Sequence, residues 1–252
     1  MTLDETLASL FGTAFTVDER PDGIVLGEGR LGGTTPVALI GIVNGMPLGV
    51  EGALLLAQRV LTLARAAEPR PIVLLIDCDS QRMSRRDELL GLNECLGHLS
   101  KALLLVDRSG LPTIALLYGG GAAGALIATA LAVRALVALP GAHPAVMDLP
   151  SMSRVTKLTL DTLERMSLDT PVFAPGLANL QRMGAICETW TTRSQSLGSQ
   201  LASLLQRFSQ LPEDARDREG ERLGGRGRAA QVAQQVMQQA LQQAQQQAIR
   251  RD

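Results

Sequence analysis

Three consecutive glycines, Gly119, Gly120 and Gly121, stand between the apolar run Ile114 to Tyr118 and the small residues Ala122, Ala123 and Gly124. The run before them is short and partly β-branched, and the pattern from Ala125 onward is helical. That order predicts a strand, a glycine turn from Tyr118 to Gly124, and a helix. A helix start leaves backbone N–H groups without intrahelical partners and carries partial positive charge, and glycine admits a ligand close to the backbone. The guest suited to such a place is a carboxylate or an oxyanion. Gly119, Gly121 and Gly124 also match the Gly-x-Gly-x-x-Gly pattern of dinucleotide loops, but no acidic partner for a ribose follows the next strand. Leu111 to Val133 holds no charged residue and reaches bilayer length, yet the glycines split it and Arg134 follows at once,. Close helix packing through Gly and Ala is a further alternative.

The elements around this stretch alternate. Leu3, Leu7, Leu10 and Phe11 give an amphipathic lead-in within Met1 to Phe15. Ile24 to Leu31 and Val37 to Val43 read as strands joined by the turn Gly32 to Pro36. Gly52 to Ala66 has one apolar helical face, ended by Pro69 and Pro71. Ile72 to Asp77 is a continuous apolar run closed by an acid, the pattern of a parallel strand buried on both faces. Arg85 to Val106 is mostly helical, Ala135 to Leu139 is a strand, and Pro140 to Pro144 is a turn carrying His143. Ser151 to Ser167 reads as one helix, Gly176 to Met183 as a short helix capped by Gly184, Ala185 to Trp190 as a strand, and Ser194 to Ser209 as an amphipathic helix. Short connections between alternating helices and strands predict a layered α/β core with a mainly parallel sheet. In such sheets ligands collect beyond the carboxyl ends of the strands, where Cys78-Asp79-Ser80-Gln81 and the glycine run both lie.

Composition sets the outer limits. With 252 residues, 46% of them hydrophobic, and a formal net charge of −1, the chain can bury a sizeable core,. Balanced charge and 2% aromatic content give no basic stripe with stacking side chains, so no nucleic-acid partner is expected,. Cys78, Cys95 and Cys187 lack CxxC spacing and the only histidines are His98 and His143, so neither a metal site nor a disulfide frame is expected,. No basic region followed by an apolar run marks the N-terminus, which points to a cytoplasmic protein without a membrane segment. From Leu211 the composition shifts. Pro212 to Arg228 is charged, and Ala229 to Ile249 is a Gln/Ala segment of good helix propensity with a thin apolar face, which predicts a helix completed by a partner or by the core.

The ordered set GIVNGMPLGVEGALLLAQRVLTLARAAEPRPIVLLIDCDSQ, LPTIALLYGGGAAGALIATAL and LQRMGAICETW resembles the carboxyltransferase branch of the crotonase superfamily, from Ala38 to Trp190. Within that branch it is similar to the gamma subunits of biotin-independent malonate decarboxylase, whose glycine signature is matched by Gly120 to Leu126. The resemblance implies a crotonase-like domain over 1–210 and a charged linker with a Gln-rich C-terminal helix over 211–252. It also implies a heterodimer with a homologous beta subunit that decarboxylates malonyl carried as a thioester on an acyl carrier protein. The phosphopantetheine-type group belongs to that carrier; no cofactor, biotin or metal is implied on this chain. By match to the motif, Gly120, Gly121 and Ala122 would donate N–H groups, with Gly119 and Gly124 permitting close approach. Ser80, Gln81 and His143 are candidate polar lining, while Cys78 and Cys95 fit as small packing groups.

The chain departs from the branch where Ile72 to Asp77 ends. Relatives commonly continue with a glycine-containing turn, whereas Cys78-Asp79-Ser80-Gln81 stands here. The departure implies that the beta subunit holds the thioester and that this chain walls the malonyl carboxylate or departing carbon dioxide. Two other readings differ in class: a serine peptidase on the same scaffold, which lacks its nucleophile because Ala122 holds the position, and a noncatalytic structural partner of the beta subunit. In the shared-site reading, branched bulk as in Gly121→Val damages catalysis before folding.

Overall fold

The computed structural model describes residues 1–170, 175–208 and 214–249. The chain enters through α1, Leu3–Phe11, opened by a capping box: the Glu5 N–H donates to the Thr2 hydroxyl and the Thr2 N–H to the Glu5 carboxylate,. Its Leu7, Leu10 and Phe11 are buried. An antiparallel meander follows, of β1 (Phe15–Glu19), β2 (Ile24–Leu31) and β3 (Thr35–Ile42). The sequence gives no strand signal for β1, a largely polar edge strand whose residues are all half-buried or exposed.

Beyond β3 the sheet is parallel. α2 (Val50–Ala64) crosses to β4 (Ile72–Cys78), then α3 (Arg85–Leu89) and α4 (Leu92–Arg108) cross to β5 (Thr113–Ala122). α5 (Ala123–Ala128) leads to β6 (Ala135–Ala138), and β7 (His143–Ala145) returns to pair with the far end of β5. α6 (Leu149–Thr156), α7 (Leu160–Asp169) and α8 (Leu177–Arg182) precede β8 (Glu188–Thr189). α9 (Leu197–Phe208), α10 (Arg216–Arg222) and α11 (Ala229–Ile249) complete the described chain. The strands lie in the order β1-β2-β3-β4-β5-β6-β8.

Alternation along each strand divides the core into two layers. Ile72, Leu74 and Ile76 of β4 pack with residues of α2, α4 and α5, while Val73 and Leu75 pack with residues of α1 and α9. Burial on both faces is the reason Ile72 to Ile76 carries no polar alternation.

Several elements differ from their sequence reading. The helix expected over Arg85 to Val106 breaks at Gly91, which takes a left-handed conformation with φ +76°. Ser151 to Ser167 is two helices: Lys157 adopts φ +63°, and the Thr159 hydroxyl then accepts from the Thr162 N–H to start α7,. The strand expected over Ala185 to Trp190 shrinks to Glu188–Thr189. His143, expected in a turn, is the first residue of β7. Leu111 to Val133 resolves into a strand, a helix of 6 residues and turns, and among the described residues no helix is long and apolar enough to cross a membrane.

The composition change at Leu211, and with it the start of the Pro212 to Arg228 stretch, falls within 209–213, outside the described residues. α10 lies on the core, where Arg216 donates to the Leu131 carbonyl oxygen at 2.9 Å. α11 is different: residues 231–246 are all exposed, Val232, Val236, Met237 and Leu241 among them. Deletion from Gly227 onward should therefore shift the thermal midpoint by no more than about 1 to 2 °C, the range of changes that touch no core contact. A larger fall in differential scanning calorimetry would mean that the tail packs on its own core.

Candidate functional site

The carboxyl ends of β4 and β5 do not end together. Ile76 pairs with Leu117, but the next pair is Cys78 with Gly121, so β5 contains extra residues at this point. Such a slip bends a strand and re-aims its side chains. The Asp77 carboxylate fills the gap, with Oδ1 accepting the Gly120 N–H at 2.8 Å. On the other side of β5, Gly120, Gly121 and Ala122 pair with His143, Pro144 and Ala145. The glycines are therefore strand, not turn. The chain reverses instead at Ala123, a non-glycine residue with φ +50°,.

Each glycine answers to a particular neighbour. A Cβ on Gly119 would fall 2.1 Å from Asp77 Oδ1, and one on Gly121 would meet Leu117 Cδ1 at 2.9 Å and Leu126 Cδ1 at 3.0 Å. At Gly120 the neighbours are the Cys78 carbonyl oxygen and His143 Nε2, both 3.3 Å from the ideal Cβ. Gly119 thus makes room for a carboxylate of its own chain, Gly121 for core leucines, and Gly120 for the imidazole. Of the three expected N–H donors, Gly120 gives its hydrogen to Asp77, while Gly121 has a strand partner on both sides and Ala122 on one. The expectation of three donors on an open turn is corrected accordingly.

Ser80 and Gln81 are held from below. The Leu48 N–H donates to the Ser80 carbonyl oxygen at 2.9 Å and the Arg82 N–H to the Leu48 carbonyl oxygen at 2.8 Å. The Ser80 hydroxyl is turned inward, donating to the Gln81 carbonyl oxygen at 2.9 Å. Gln81 Oε1 accepts the Gly124 N–H at 2.8 Å. That bond fixes which end of the amide is oxygen and leaves its NH2 as a donor without a partner among the described residues,.

An ion-pair network anchors this loop to the start of α2. Arg82 donates through Nε and Nη2 to Asp87, at 2.8 Å each, and from Nη2 to Glu51 at 2.7 Å. Asp87 is 1% exposed and accepts in addition the Val50 N–H at 2.9 Å and the Ser84 hydroxyl hydrogen. Val50 is the first residue of α2, so a buried carboxylate caps that helix,. The Arg82 guanidinium, followed by the Ser84 and Val50 donors, holds Asp87 well below the usual carboxylate range. Neither Asp87 nor Arg82 was singled out in the sequence, where Arg82 looks like one more loop charge and Asp87 like one more charge in the helical stretch Arg85 to Val106.

His143 is exposed, and among the described residues its ring is fixed by one bond, Nδ1 to the Gly141 carbonyl oxygen at 2.8 Å. A carbonyl only accepts, so Nδ1 carries the hydrogen and the neutral ring keeps its lone pair on Nε2. Tyr118 is 3% exposed and its hydroxyl has no hydrogen-bond partner among the described residues; burial, with the Asp77 and Glu19 charges, pushes its phenol well above the usual range. Burial likewise pushes the Cys78 thiol up to about 11, and the thiol donates to the Ser80 carbonyl oxygen. At neutral pH Cys78 is therefore no thiolate nucleophile. The structure thus unites Gly119, Gly120, Asp77 and His143 at the slip, and Gln81 with Gly124 beside it. Ser80 points elsewhere. A separate cleft of about 630 Å³, lined by Leu131, Val146, Leu180, Met183, Asp214 and Arg226 among others, shares no lining residue with the glycine strand.

A sequence model of the malonate decarboxylase gamma subunit matches residues 43–240. The malonyl-S-ACP:biotin-protein carboxyltransferase MADD of Malonomonas rubra is 27% identical over 200 residues, which cover 77% of this chain and 67% of that protein. Among solved structures, one chain of the Pseudomonas malonate decarboxylase MdcD-MdcE hetero-dimer superposes with a TM-score of 0.72 at 22% identity, over 93% of this chain and 99% of that one. Transcarboxylase 12S superposes with a TM-score of 0.66 at 15% identity, over 82% of this chain and 40% of that one. These superpositions show the fold alone, a crotonase-like layered fold with a mainly parallel sheet.

Two sets of measurements test the geometry. Contrary to the expectation that Gly121→Val harms catalysis before folding, it should lower stability by about 1 to 3 kcal/mol through overpacking against Leu117 and Leu126, whereas Gly120→Ala should leave the melting temperature nearly unchanged,. Asp87→Asn should lower stability by about 3 kcal/mol at neutral pH, the low end for a broken buried pair because Arg82 is 36% exposed,. A depressed carboxylate stabilises fully above its unfolded value and loses that contribution as pH falls through the folded one. The gap between parent and Asp87→Asn in urea unfolding should therefore narrow below about pH 4.

Proposed function

The chain belongs to the malonate decarboxylase gamma-subunit family, and from that premise we propose that it forms one wall of a malonyl-thioester decarboxylation site shared with a homologous beta subunit. Its role is in decarboxylation or carboxyl transfer. In the proposed reading the substrate is malonyl-S-acyl carrier protein, the product is acetyl-S-acyl carrier protein, and the phosphopantetheine-type arm is supplied by the carrier. The complex works in the cytoplasm without biotin, 1–210 forms the crotonase-like domain, and 211–252 contributes a tail that reaches the partner.

The observation that carries this reading is the juxtaposition, at one sheet edge, of the glycine strand, a fixed Gln81 amide whose NH2 has no partner among the described residues, and an exposed imidazole on His143,. Loss of carbon dioxide moves charge from a carboxylate to an enolate oxygen. Donors that grow stronger toward the later charge lower the barrier, each by about 2.7 to 4 kcal/mol where such donors have been removed singly. The malonyl carboxylate is proposed to lie toward Ala122 and the Gln81 amide, because Gly121 is paired on both sides. Asp77 stays on Gly120 and repels a second carboxylate there,. Support for the partner comes from the α6–α7 hairpin directly after β7, which leaves Val155, Leu158, Leu160, Met166 and Leu168 exposed,.

The Malonomonas rubra relative, whose name gives a biotin protein as carboxyl acceptor, favours a second reading in which the carboxyl group is handed on rather than released. Both begin with the same bond cleavage. Assays of this chain alone, the beta subunit alone and the two together on a malonyl thioester, following carbon dioxide and carboxybiotin, separate the possibilities. Only the pair should turn over, with carbon dioxide as product. Full activity of the beta subunit alone would assign this chain a supporting role, and avidin-sensitive transfer would favour the second reading.

A further inference from the structure

Decarboxylation of a malonyl thioester leaves a carbanionic α-carbon that must receive a proton, and the groups at the sheet edge differ sharply in their fitness to give one. The Cys78 thiol is buried, raised and bonded to the Ser80 carbonyl oxygen. Tyr118 lies in the layer packed against α1 and α9, and its buried phenol is raised further by Asp77 and Glu19. The Asp77 carboxylate is an acceptor for the Gly120 N–H, and the Ser80 hydroxyl points to the Gln81 carbonyl oxygen. The Gln81 amide is no acid.

His143 has the geometry the others lack. Its Nδ1–H is committed to the Gly141 carbonyl oxygen, which leaves Nε2 as the nitrogen that gains and loses a proton,. Strand pairing sets His143 opposite Gly120, and Nε2 lies 3.3 Å from the position a Gly120 side chain would fill. No side chain occupies the place beside Nε2, which the Cys78 carbonyl oxygen at 3.3 Å and Asp77 Oδ1 at 3.7 Å also border. The residue is exposed, so solvent can return its proton between turnovers.

Resting on the proposed shared site, we infer that His143 is the proton donor to the α-carbon. The bond from the α-carbon to the carboxylate breaks, carbon dioxide leaves, and the electron pair enters the enolate. The enolate then takes the proton from Nε2 of the imidazolium to give the acetyl thioester, and the neutral imidazole regains a proton from solvent.

The test uses the complex reconstituted with its beta subunit and a malonyl thioester. His143→Ala should lower turnover about 100-fold or more, the usual contribution of a positioned general acid, at an unchanged melting temperature. Imidazole added to the buffer should restore part of that rate. His143→Gln, which keeps an N–H for the Gly141 carbonyl, should be as slow and should show no rescue. Turnover within twofold of the parent in both variants, with Gly120→Ala strongly impaired, would place the donor elsewhere while leaving the shared site standing. Normal turnover in Gly120→Ala as well would remove this edge from the active site and the inference with it. A loss in His143→Ala that tracks the melting temperature and resists imidazole would make the residue structural and overturn the inference.

Discussion

The hydrogen bond from the Gly120 N–H to Asp77 Oδ1 is the contact on which the sheet edge depends. Pairing between β4 and β5 slips after Ile76 and Leu117, and an unfilled slip would leave a backbone donor without a partner at the border of the core,. The Asp77 carboxylate supplies that partner. With the slip filled, β5 continues as a strand as far as Ala122 and offers its far side to β7. His143 is placed by that pairing, so the imidazole owes its position to a carboxylate on the opposite side of the glycine strand.

The support below this edge is electrostatic. Asp87 caps α2 and is gripped by Arg82, and the Arg82 backbone pairs with Leu48. Gln81 is consequently held between two fixed neighbours, and its Oε1 reaches Gly124. A buried charge pair adds modest net stability against an apolar alternative, but breaking it is costly because one charge stays behind. The network therefore acts mainly to define the loop, as a polar group that must stay bonded restricts the arrangements its neighbours can take.

Much of the architecture was legible because it follows from local periodicity. The continuous apolar run of β4, the helical spacing in α2 and α4, and the family resemblance from Ala38 to Trp190 led to the layered, mainly parallel fold. The glycine run was not legible in the same way. Three glycines between a strand and a helix point locally to a turn, and only two distant partners, the Asp77 carboxylate and β7, make them strand,. The strand placement of His143, already a candidate lining residue, was hidden for a related reason. Pro140 and Gly141 punctuate the chain so strongly that the three residues after Ala142 carry no strand signal of their own. The Arg82–Asp87 pair was invisible because its partners, the N–H of Val50 and the carboxylate of Glu51, lie a whole strand and helix earlier in the chain.

The internal carboxylate also constrains how a shared site would work. Two unit charges 4 Å apart near a protein surface interact by about 4 kcal/mol, so a malonyl carboxylate drawn onto Gly120 would meet strong repulsion from Asp77. Further along the strand that repulsion weakens, and the Gln81 NH2, without a partner among the described residues, becomes the nearer polar group. As the carbon–carbon bond breaks, negative charge leaves the carboxylate for the thioester oxygen, which in the proposed reading is held by the beta subunit. A fixed negative charge on this wall then opposes the starting state more than the charge-transferred one, and that difference is what accelerates a reaction. The anionic Asp77 and the proton-bearing His143 on opposite sides of one glycine strand would thus act at successive moments, the first as charge leaves and the second as the carbon it leaves behind is protonated.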